Sequence, residues 1–184
     1  EEKREEIIQK LLTSKILSLD TETTGTEPMD AELVGMSFSI AENEAFYVPV
    51  PTDQEEALKI VNEFRPVFEN ENSLKVGQNI KYDMIVLQNY GVQVKGPLFD
   101  TMIAHYVLQP ELRHGMDYLA EIYLRYQTIH IDELIGPKGK NQKNMRDLAP
   151  KDVYRYACED ADVTLKLKNV LEKELKENDA ERLV

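Results

Sequence analysis

The sequence predicts an α/β domain with a mixed central sheet, and two observations support this prediction. Three apolar segments with strand character begin at Ile16, Leu33 and Ala45 and are joined by short connections, which is typical of an antiparallel meander. Further along, short strand-like segments alternate with helical ones, as parallel strands and crossover helices do. The 184 residues are enough for one domain with a sizeable core.

In the first half of the chain, apolar spacing and capping residues predict the individual elements. We expect Pro66 to kink or shorten the helix that contains it, because proline removes a backbone donor. The predicted elements are a helix over residues 2–13, strands beginning at Ile16 and covering 33–41 and 45–50, and a helix that follows a capping box at Thr52 to Glu55.

In the second half, strands and helices alternate up to a long final helix. The predicted elements are a strand over 74–77, a helix over 80–90 stopped by Gly91, a strand at 98–99, a helix capped by Asp100, a helix over 116–125 and a helix from Pro150 to about 178. Segment 136–144 carries Lys138, Lys140 and Lys143 and is predicted to be a loop. It is either a solvated connection or a guide for a substrate strand, and the sequence leaves both interpretations open.

The composition excludes several classes of protein. A net charge of −12 argues against a protein that coats a nucleic-acid duplex, which normally has a basic footprint. No apolar run approaches the ~20 residues of a membrane span. Cys158 is the only cysteine, so we expect a cytoplasmic protein in which this residue is a small buried apolar side chain. Residues 1–6 resemble neither a signal peptide nor a natural initiator, so we expect a piece of a longer protein.

Two acids, Asp20 and Glu22, lie at the end of the first predicted strand. Because side chains on a strand alternate, both carboxylates point to one side, where they repel each other and lose hydration. A divalent cation would relieve both penalties. With 34 acids in the chain, about 6 acid-x-acid pairs arise by chance, so the spacing alone does not separate a metal site from solvated acids.

Two further stretches supply acids that suit the same site. Asp83 lies in the first turn of a helix that follows a strand, with Asn79 as its natural N-cap, and by itself it could simply be an acid that favours the helix dipole. Tyr156 and Asp160 share one face of the last helix, where an unpaired buried carboxylate would be costly. Glu159 and Asp162 are expected to turn towards solvent.

Tyr156 has two interpretations. An inward tyrosine usually packs in a core. A tyrosine one turn before an inward aspartate also indicates a hydroxyl that positions an attacking water.

Taken together, these motifs resemble the DEDD superfamily of 3′–5′ exonucleases in its tyrosine branch, and most closely the proofreading domain of bacterial family A DNA polymerases, the DNA polymerase I type. The resemblance extends from about Ile16 to Leu171, and Arg155 stands where the histidine branch would carry its base. The matching motifs are Asp20-Thr21-Glu22-Thr23, Gly77-Gln78-Asn79 with Lys81-Tyr82-Asp83, Phe99-Asp100-Thr101-Met102, Arg113-His114 with Met116-Asp117, Gly139-Lys140-Asn141-Gln142, and Tyr156 to Asp160.

The resemblance implies a ribonuclease H-like fold, with a five-stranded mixed sheet and helices on both sides. It also implies two divalent metal ions, with Mg²⁺ expected and Mn²⁺ or Zn²⁺ as alternatives. Asp20, Glu22 and Asp160 would hold the first ion, and Asp20 would bridge to a second near Asp83. Tyr156 and Glu22 would orient the attacking water.

The resemblance further implies the substrate contacts and the activity. Contacts with DNA are expected from Thr23, Gln78, Asn79, Tyr82 and Arg113. Where the family tends to carry an apolar wedge and an aromatic residue, this chain has Thr26 and Ile131, so stacking on the last bases is expected to be weaker.

The expected activity is metal-dependent removal of nucleoside monophosphates from single-stranded or frayed DNA 3′ ends, as a proofreading domain linked to a polymerase. The expected domain occupies residues 15–184, and residues 1–14 form a leading helix or linker remnant. No membrane and no small-molecule cofactor is expected. Two alternatives remain open: an inactive exonuclease fold kept as a structural module, and a free-standing RNA-trimming enzyme of the ribonuclease D type.

Overall fold

A computed structural model describes residues 2–183 and contains one five-stranded sheet. The strands are β1 Ile16–Thr23, β2 Leu33–Ala41, β3 Glu44–Pro49, β4 Leu74–Gly77 and β5 Leu98–Asp100. The helices are α1 Glu2–Thr13, α2 Gln54–Glu63, α3 Arg65–Phe68, α4 Ile80–Asn89, α5 Thr101–Leu108, α6 Met116–Leu119, α7 Ile131–Ile135 and α8 Pro150–Glu177. Among the described helices, none is long and apolar enough to span a membrane.

The sheet has the strand order β3-β2-β1-β4-β5 and is mixed, as predicted. β1 pairs antiparallel with β2, and β2 pairs antiparallel with β3. β1 pairs in parallel with β4, and β4 pairs in parallel with β5. The carboxyl ends of β1, β4 and β5 therefore meet at one edge, which is where α/β sheets place their ligands.

The two faces of the sheet pack differently, and this difference positions α8. On one face Leu17, Leu19 and Phe38 pack against helices α1 to α4, and Phe38 stacks on Phe64 with ring centroids 5.4 Å apart. Because strand side chains alternate, the opposite face carries the small buried residues Ser18, Ser37 and Ser39. Helix α8 contacts β1, β2 and β3 through small residues of its own, among them Ala157 and Ala161. Small side chains on both surfaces let α8 approach the sheet closely.

Helix α1 is part of the same packed unit. Ile8 and Leu11 are buried in the core beside α2 and α3, and Arg4 donates to Glu63 over 2.7 Å. The boundary at residue 14 stays a prediction.

The structure corrects the predicted capping of two helices and the extent of a third. The helix α2 is capped by Asp53, whose carboxylate accepts from Glu56 N, and not by Thr52. Asn79 sits at the N-cap position of α4 with φ 58° but makes no capping hydrogen bond. Asp100 replaces it, because β5 ends beside the start of α4. The helix predicted over 116–125 ends instead in a π-helical turn, Ala120–Leu124.

Asp100 caps two helices with one carboxylate. It accepts from Asn79 N at 3.0 Å and Ile80 N at 2.9 Å at the start of α4, and from Met102 N and Ile103 N at the start of α5. The two helices are thereby fixed to one point at the carboxyl edge of the sheet.

Gly35 offers a first test of the packing. Gly35 pairs with Glu22 of β1, and a Cβ at this position would overlap the ring of Tyr47 on β3. We expect Gly35→Ala to destabilise the fold by about 1–3 kcal/mol, as overpacking does. For a chain of this size, the melting temperature should fall by about 3–10 °C.

The control is Gly115→Ala, because Gly115 has φ −68° and open space where a Cβ would lie. Thermal melting by circular dichroism measures both variants. Equal melting temperatures for the two variants would show that Tyr47 moves aside without cost.

Candidate active site

A cavity of about 730 Å³ opens at the carboxyl edge of the sheet. It brings together the four predicted acids and the predicted tyrosine, which come from β1, α4 and α8: Asp20, Glu22, Asp83, Tyr156 and Asp160. The segment Thr23 to Thr26, the start of α4, helix α7 and the loop before α8 complete its walls.

Three of the acids form a compact cluster. One carboxylate oxygen each from Asp20, Glu22 and Asp160 lies within 4.8 Å of the others. Asp20 and Glu22 share a face because both belong to β1, and Asp160 reaches them because α8 lies close to the sheet. Among residues 2–183, Glu22 Oε1 and Asp160 Oδ1 are buried without a hydrogen-bond partner. Converging carboxylate oxygens, on residues that carry unpartnered buried oxygens, suit a hard divalent cation.

The electrostatics of the cluster point the same way. Burial raises the pKa of Asp20 and Glu22 well above the usual range, and the negative charges of neighbouring acids raise both pKa values further. Burial also raises the pKa of Asp160, to about 8. The three carboxyl groups thus resist being ionised together unless a positive charge is bound between them.

Asp83 lies in the same cavity with its carboxylate already partly engaged. Asp83 Oδ1 accepts from Thr21 N at 2.9 Å and from Thr21 Oγ1 at 2.6 Å. Burial and the charge of Asp20 raise the pKa of Asp83, and the bonds from Thr21 oppose that rise. Asp83 therefore lines the same cavity as the three-carboxylate cluster, while one of its oxygens is bound to Thr21 of β1.

Tyr156 lines the cavity one helical turn before Asp160 and is half-buried. Its ring packs with Val34, Met145 and Ala157. Burial, and then the negative charges of Asp160 and Glu22, raise the pKa of the Tyr156 hydroxyl. The hydroxyl therefore keeps its proton and can donate it in a hydrogen bond.

Four of the five predicted DNA contacts line the cavity: Thr23, Gln78, Asn79 and Tyr82. The side chains of three of them, Thr23, Gln78 and Tyr82, also form hydrogen bonds within the protein. The Tyr82 hydroxyl lies 2.6 Å from Thr23 Oγ1, and Gln78 Nε2 donates to His114 O over 2.7 Å. The Gln78 contact ties the start of α4 to the segment that carries Arg113.

Arg113 itself does not line this cavity. It lies in a neighbouring groove with Arg125 and His130. Its contact with DNA stays a prediction. His114, the next residue, is anchored by its ring, because its Nδ1 lies 2.7 Å from Nδ1 of the buried His105.

Several cavity residues lie outside the predicted catalytic residues and DNA contacts. Helix α7 contributes Ile131 and Ile135, and the loop 136–144 contributes Gln142, Lys143 and Asn144. The apolar spacing Ile131, Leu134, Ile135 is a helical signal that could have predicted α7. Thr26 and Ile131, which stand at the expected stacking positions, both line the cavity.

Two acids and the cysteine near the site have other surroundings than expected. Glu159 and Asp162 turn away from the cavity but not into solvent, because neighbouring segments donate to them. Glu159 accepts from Ile129 N at 2.7 Å, and Asp162 accepts from Asn43 N at 2.6 Å. Cys158 is only partly buried, and burial raises its pKa to about 11, so the thiol is unreactive.

The chain is similar to known proteins along nearly its whole length. The sequence model of a family described as 3′–5′ exonuclease matches residues 1–176. DNA polymerase I of Pseudomonas aeruginosa is 38% identical over 173 residues, which cover 89% of this chain and 19% of the relative. DNA polymerase I of Borreliella burgdorferi is 33% identical over 183 residues, which cover 98% of this chain and 20% of the relative. The chain thus spans about a fifth of the length of these relatives.

The fold is shared with solved nucleases. The structure of NrnC from Brucella melitensis with bound Mg²⁺ superposes with a TM-score of 0.71 at 21% identity, covering 94% of this chain and 79% of that one. The predicted ribonuclease H-like fold is confirmed, with its five-stranded mixed sheet and helices on both sides. From the match over residues 1–176 and the identity to the two polymerases, the chain belongs to the 3′–5′ exonuclease family of DNA polymerase I.

Proposed function

We propose that this chain is a metal-dependent 3′–5′ exodeoxyribonuclease that removes nucleoside monophosphates from single-stranded or frayed DNA 3′ ends. The observation that carries the proposal is the cluster of Asp20, Glu22 and Asp160, with buried oxygens of Glu22 and Asp160 unpartnered. In the parent protein the domain would proofread for a linked polymerase, since the relatives it matches are about five times longer.

The residues present fit divalent metal ions. Asp20, Glu22 and Asp160 would hold one ion through their converging oxygens, and Asp20 together with Asp83 would hold a second. Mg²⁺ is the expected ion because it prefers carboxylate oxygens, and a structural neighbour was solved with it; Mn²⁺ and Zn²⁺ are the alternatives. When bound, two such ions would neutralise charge on the scissile phosphate and on the leaving oxygen.

Side chains of this chain would position the attacking water and the substrate. The Tyr156 hydroxyl, which keeps its proton, would donate to the attacking water and hold it in line with the scissile phosphate. Glu22 would accept a hydrogen bond from the same water. Thr23, Asn79 and Tyr82, which line the same cavity, would hold the terminal nucleotide in place.

The cavity and the net charge limit the substrate. A cavity of about 730 Å³ has room for only the last nucleotides of a strand. A net charge of −12 disfavours binding of a long duplex, because a duplex is normally held by an extended basic surface. A duplex end must unpair before it enters, at a cost of a few kcal/mol. We therefore expect single strands and mispaired ends to be degraded faster than matched blunt duplex.

The test compares three 5′-labelled substrates of one sequence: single-stranded DNA, blunt duplex DNA and single-stranded RNA, each with Mg²⁺ and with a chelator. We expect stepwise loss of nucleoside monophosphates from the DNA strand, slower loss from the duplex, and none with the chelator. Faster digestion of RNA than of DNA would favour the RNA-trimming alternative. Binding of Mg²⁺ without digestion of any substrate would favour an inactive structural module.

A further inference from the structure

The cavity is short of positive charge. Its walls carry four carboxyl groups, Asp20, Glu22, Asp83 and Asp160, and among residues 2–183 the only basic side chain that lines it is Lys143. Two divalent ions would only cancel the four negative charges. A substrate phosphate would then meet a neutral site unless a protein cation stands beside it.

We propose that Lys143 binds a phosphate of the substrate strand, in the role that the sequence assigns to Arg113. This inference rests on the proposed exonuclease function. It is carried by the position of the two basic residues: Lys143 lines the acidic cavity, whereas Arg113 lines the separate groove beside it.

The backbone around Lys143 is held at the rim of the cavity. Lys143 N donates to Ile135 O at 2.8 Å, which fixes it to the end of α7. The next side chain, Asn144, donates through Nδ2 to Thr24 O at 2.7 Å, which fixes the loop to the segment after β1. The backbone at Lys143 is therefore held between the end of α7 and the segment after β1, both of which line the cavity.

The Lys143 side chain is available for a phosphate. It is exposed, and in the described part of the chain it forms no salt bridge with a carboxylate. Lys138 and Lys140, in the same loop, are also exposed but do not line the cavity. An ammonium on a flexible four-carbon stem can follow a phosphate as the strand advances, since it binds as a point charge without fixed orientation.

The experiment compares Lys143→Gln with Arg113→Gln and with Lys151→Gln. Lys151 is exposed on the first turn of α8 and does not line the cavity, so this control makes the same change of charge away from the site. Initial rates on a short single-stranded DNA give kcat and KM. Fluorescence anisotropy gives the Kd of the same strand over a salt series at fixed Mg²⁺, with Asp160→Asn added to each variant to stop digestion. Thermal melting checks that each variant folds.

For Lys143→Gln we expect KM and Kd to rise about tenfold, the effect of one hydrogen bond to a charged group, with kcat within threefold of the parent. The slope of log affinity against log salt should become shallower by about 0.7, one phosphate contact on a single strand. Lys143→Arg keeps the positive charge and should bind like the parent, and Lys151→Gln should stay within twofold of the parent.

Two results would overturn the inference. One is a Lys143→Gln variant that matches Lys151→Gln in KM, Kd and salt slope while the parent digests DNA. The other is a tenfold loss with Arg113→Gln and none with Lys143→Gln, which would return the phosphate contact to the neighbouring groove. A parent that neither binds nor digests DNA would instead refute the proposed function itself.

Discussion

Asp160→Asn is expected to abolish digestion of DNA 3′ ends while leaving the protein folded. Asp160 supplies one of the three oxygens that converge within 4.8 Å, and its Oδ1 has no other partner. Loss of groups that merely support a metal ligand costs 10–100-fold in activity, so loss of the ligand itself should cost at least about 100-fold. Asp20→Asn should behave in the same way.

The same substitution should stabilise the metal-free protein. Burial raises the pKa of Asp160 to about 8, and burial together with the charges of neighbouring acids raises the pKa of Asp20 and Glu22. At neutral pH each of these carboxyl groups must take up a proton or keep a buried charge when the chain folds, and both cost folding energy. An amide at position 160 removes that cost for one group. We expect the metal-free melting temperature of Asp160→Asn to match or exceed that of the parent. Added Mg²⁺ should raise the melting temperature of the parent more than that of the variant, because it binds the folded parent more tightly.

The measurements are a 3′-end digestion assay and thermal melting with and without Mg²⁺. Asp152→Asn is the matched control, because Asp152 is exposed on the first turn of α8 and does not line the cavity. Activity of Asp160→Asn within tenfold of the parent, or an equal Mg²⁺ shift in both proteins, would refute the assignment of Asp160 as a metal ligand.

Tyr156→Phe is expected to lower turnover by about 10²- to 10⁴-fold, the usual contribution of a positioned proton-transfer or water-orienting group. The substitution removes only the hydroxyl. The ring keeps its packing against Val34, Met145 and Ala157, so stability should change little. Binding of single-stranded DNA should also change little, because the lost interaction is made with the attacking water.

Steady-state kinetics separate these effects, since kcat should fall while KM stays near the parent value. Tyr154→Phe is the control, because Tyr154 lies on the same helix and is 53% exposed. If Tyr156→Phe turns over as fast as Tyr154→Phe, Tyr156 is a packing residue and another group positions the water.

Much of the fold could be predicted from local patterns along the chain. The strand over residues 33–41, the strand over 74–77 and the long helix from Pro150 appear as predicted, because alternation, turn residues and an N-terminal proline each act within a few residues. Helix α7 was not predicted, because the helical spacing of Ile131, Leu134 and Ile135 extends over little more than one turn. The role of Asp100 at two helices could not be predicted, because its second partner lies 21 residues away and meets it only across the sheet.

By itself the sequence determined which candidate side chains share a face within one element. The period of a strand places Asp20 and Glu22 on one side, and the turn of a helix places Tyr156 and Asp160 on one face. Their combination into one site was expected from the family resemblance. The tertiary structure decided which of them meet. Asp160 reaches β1 because small residues let α8 approach the sheet, whereas Asp83 turns one oxygen to Thr21.

The basic residues show the same division most clearly. From the sequence, a DNA contact is expected from Arg113, while Lys143 belongs to a loop with two open interpretations. Only the folded chain separates them, with Lys143 at the rim of the acidic cavity and Arg113 in the next groove. The physical reason is that the sequence spacing of residues decides which way their side chains point within one helix or strand. The distances between helices, strands and loops depend instead on how their side chains pack and on the hydrogen bonds that hold the loops.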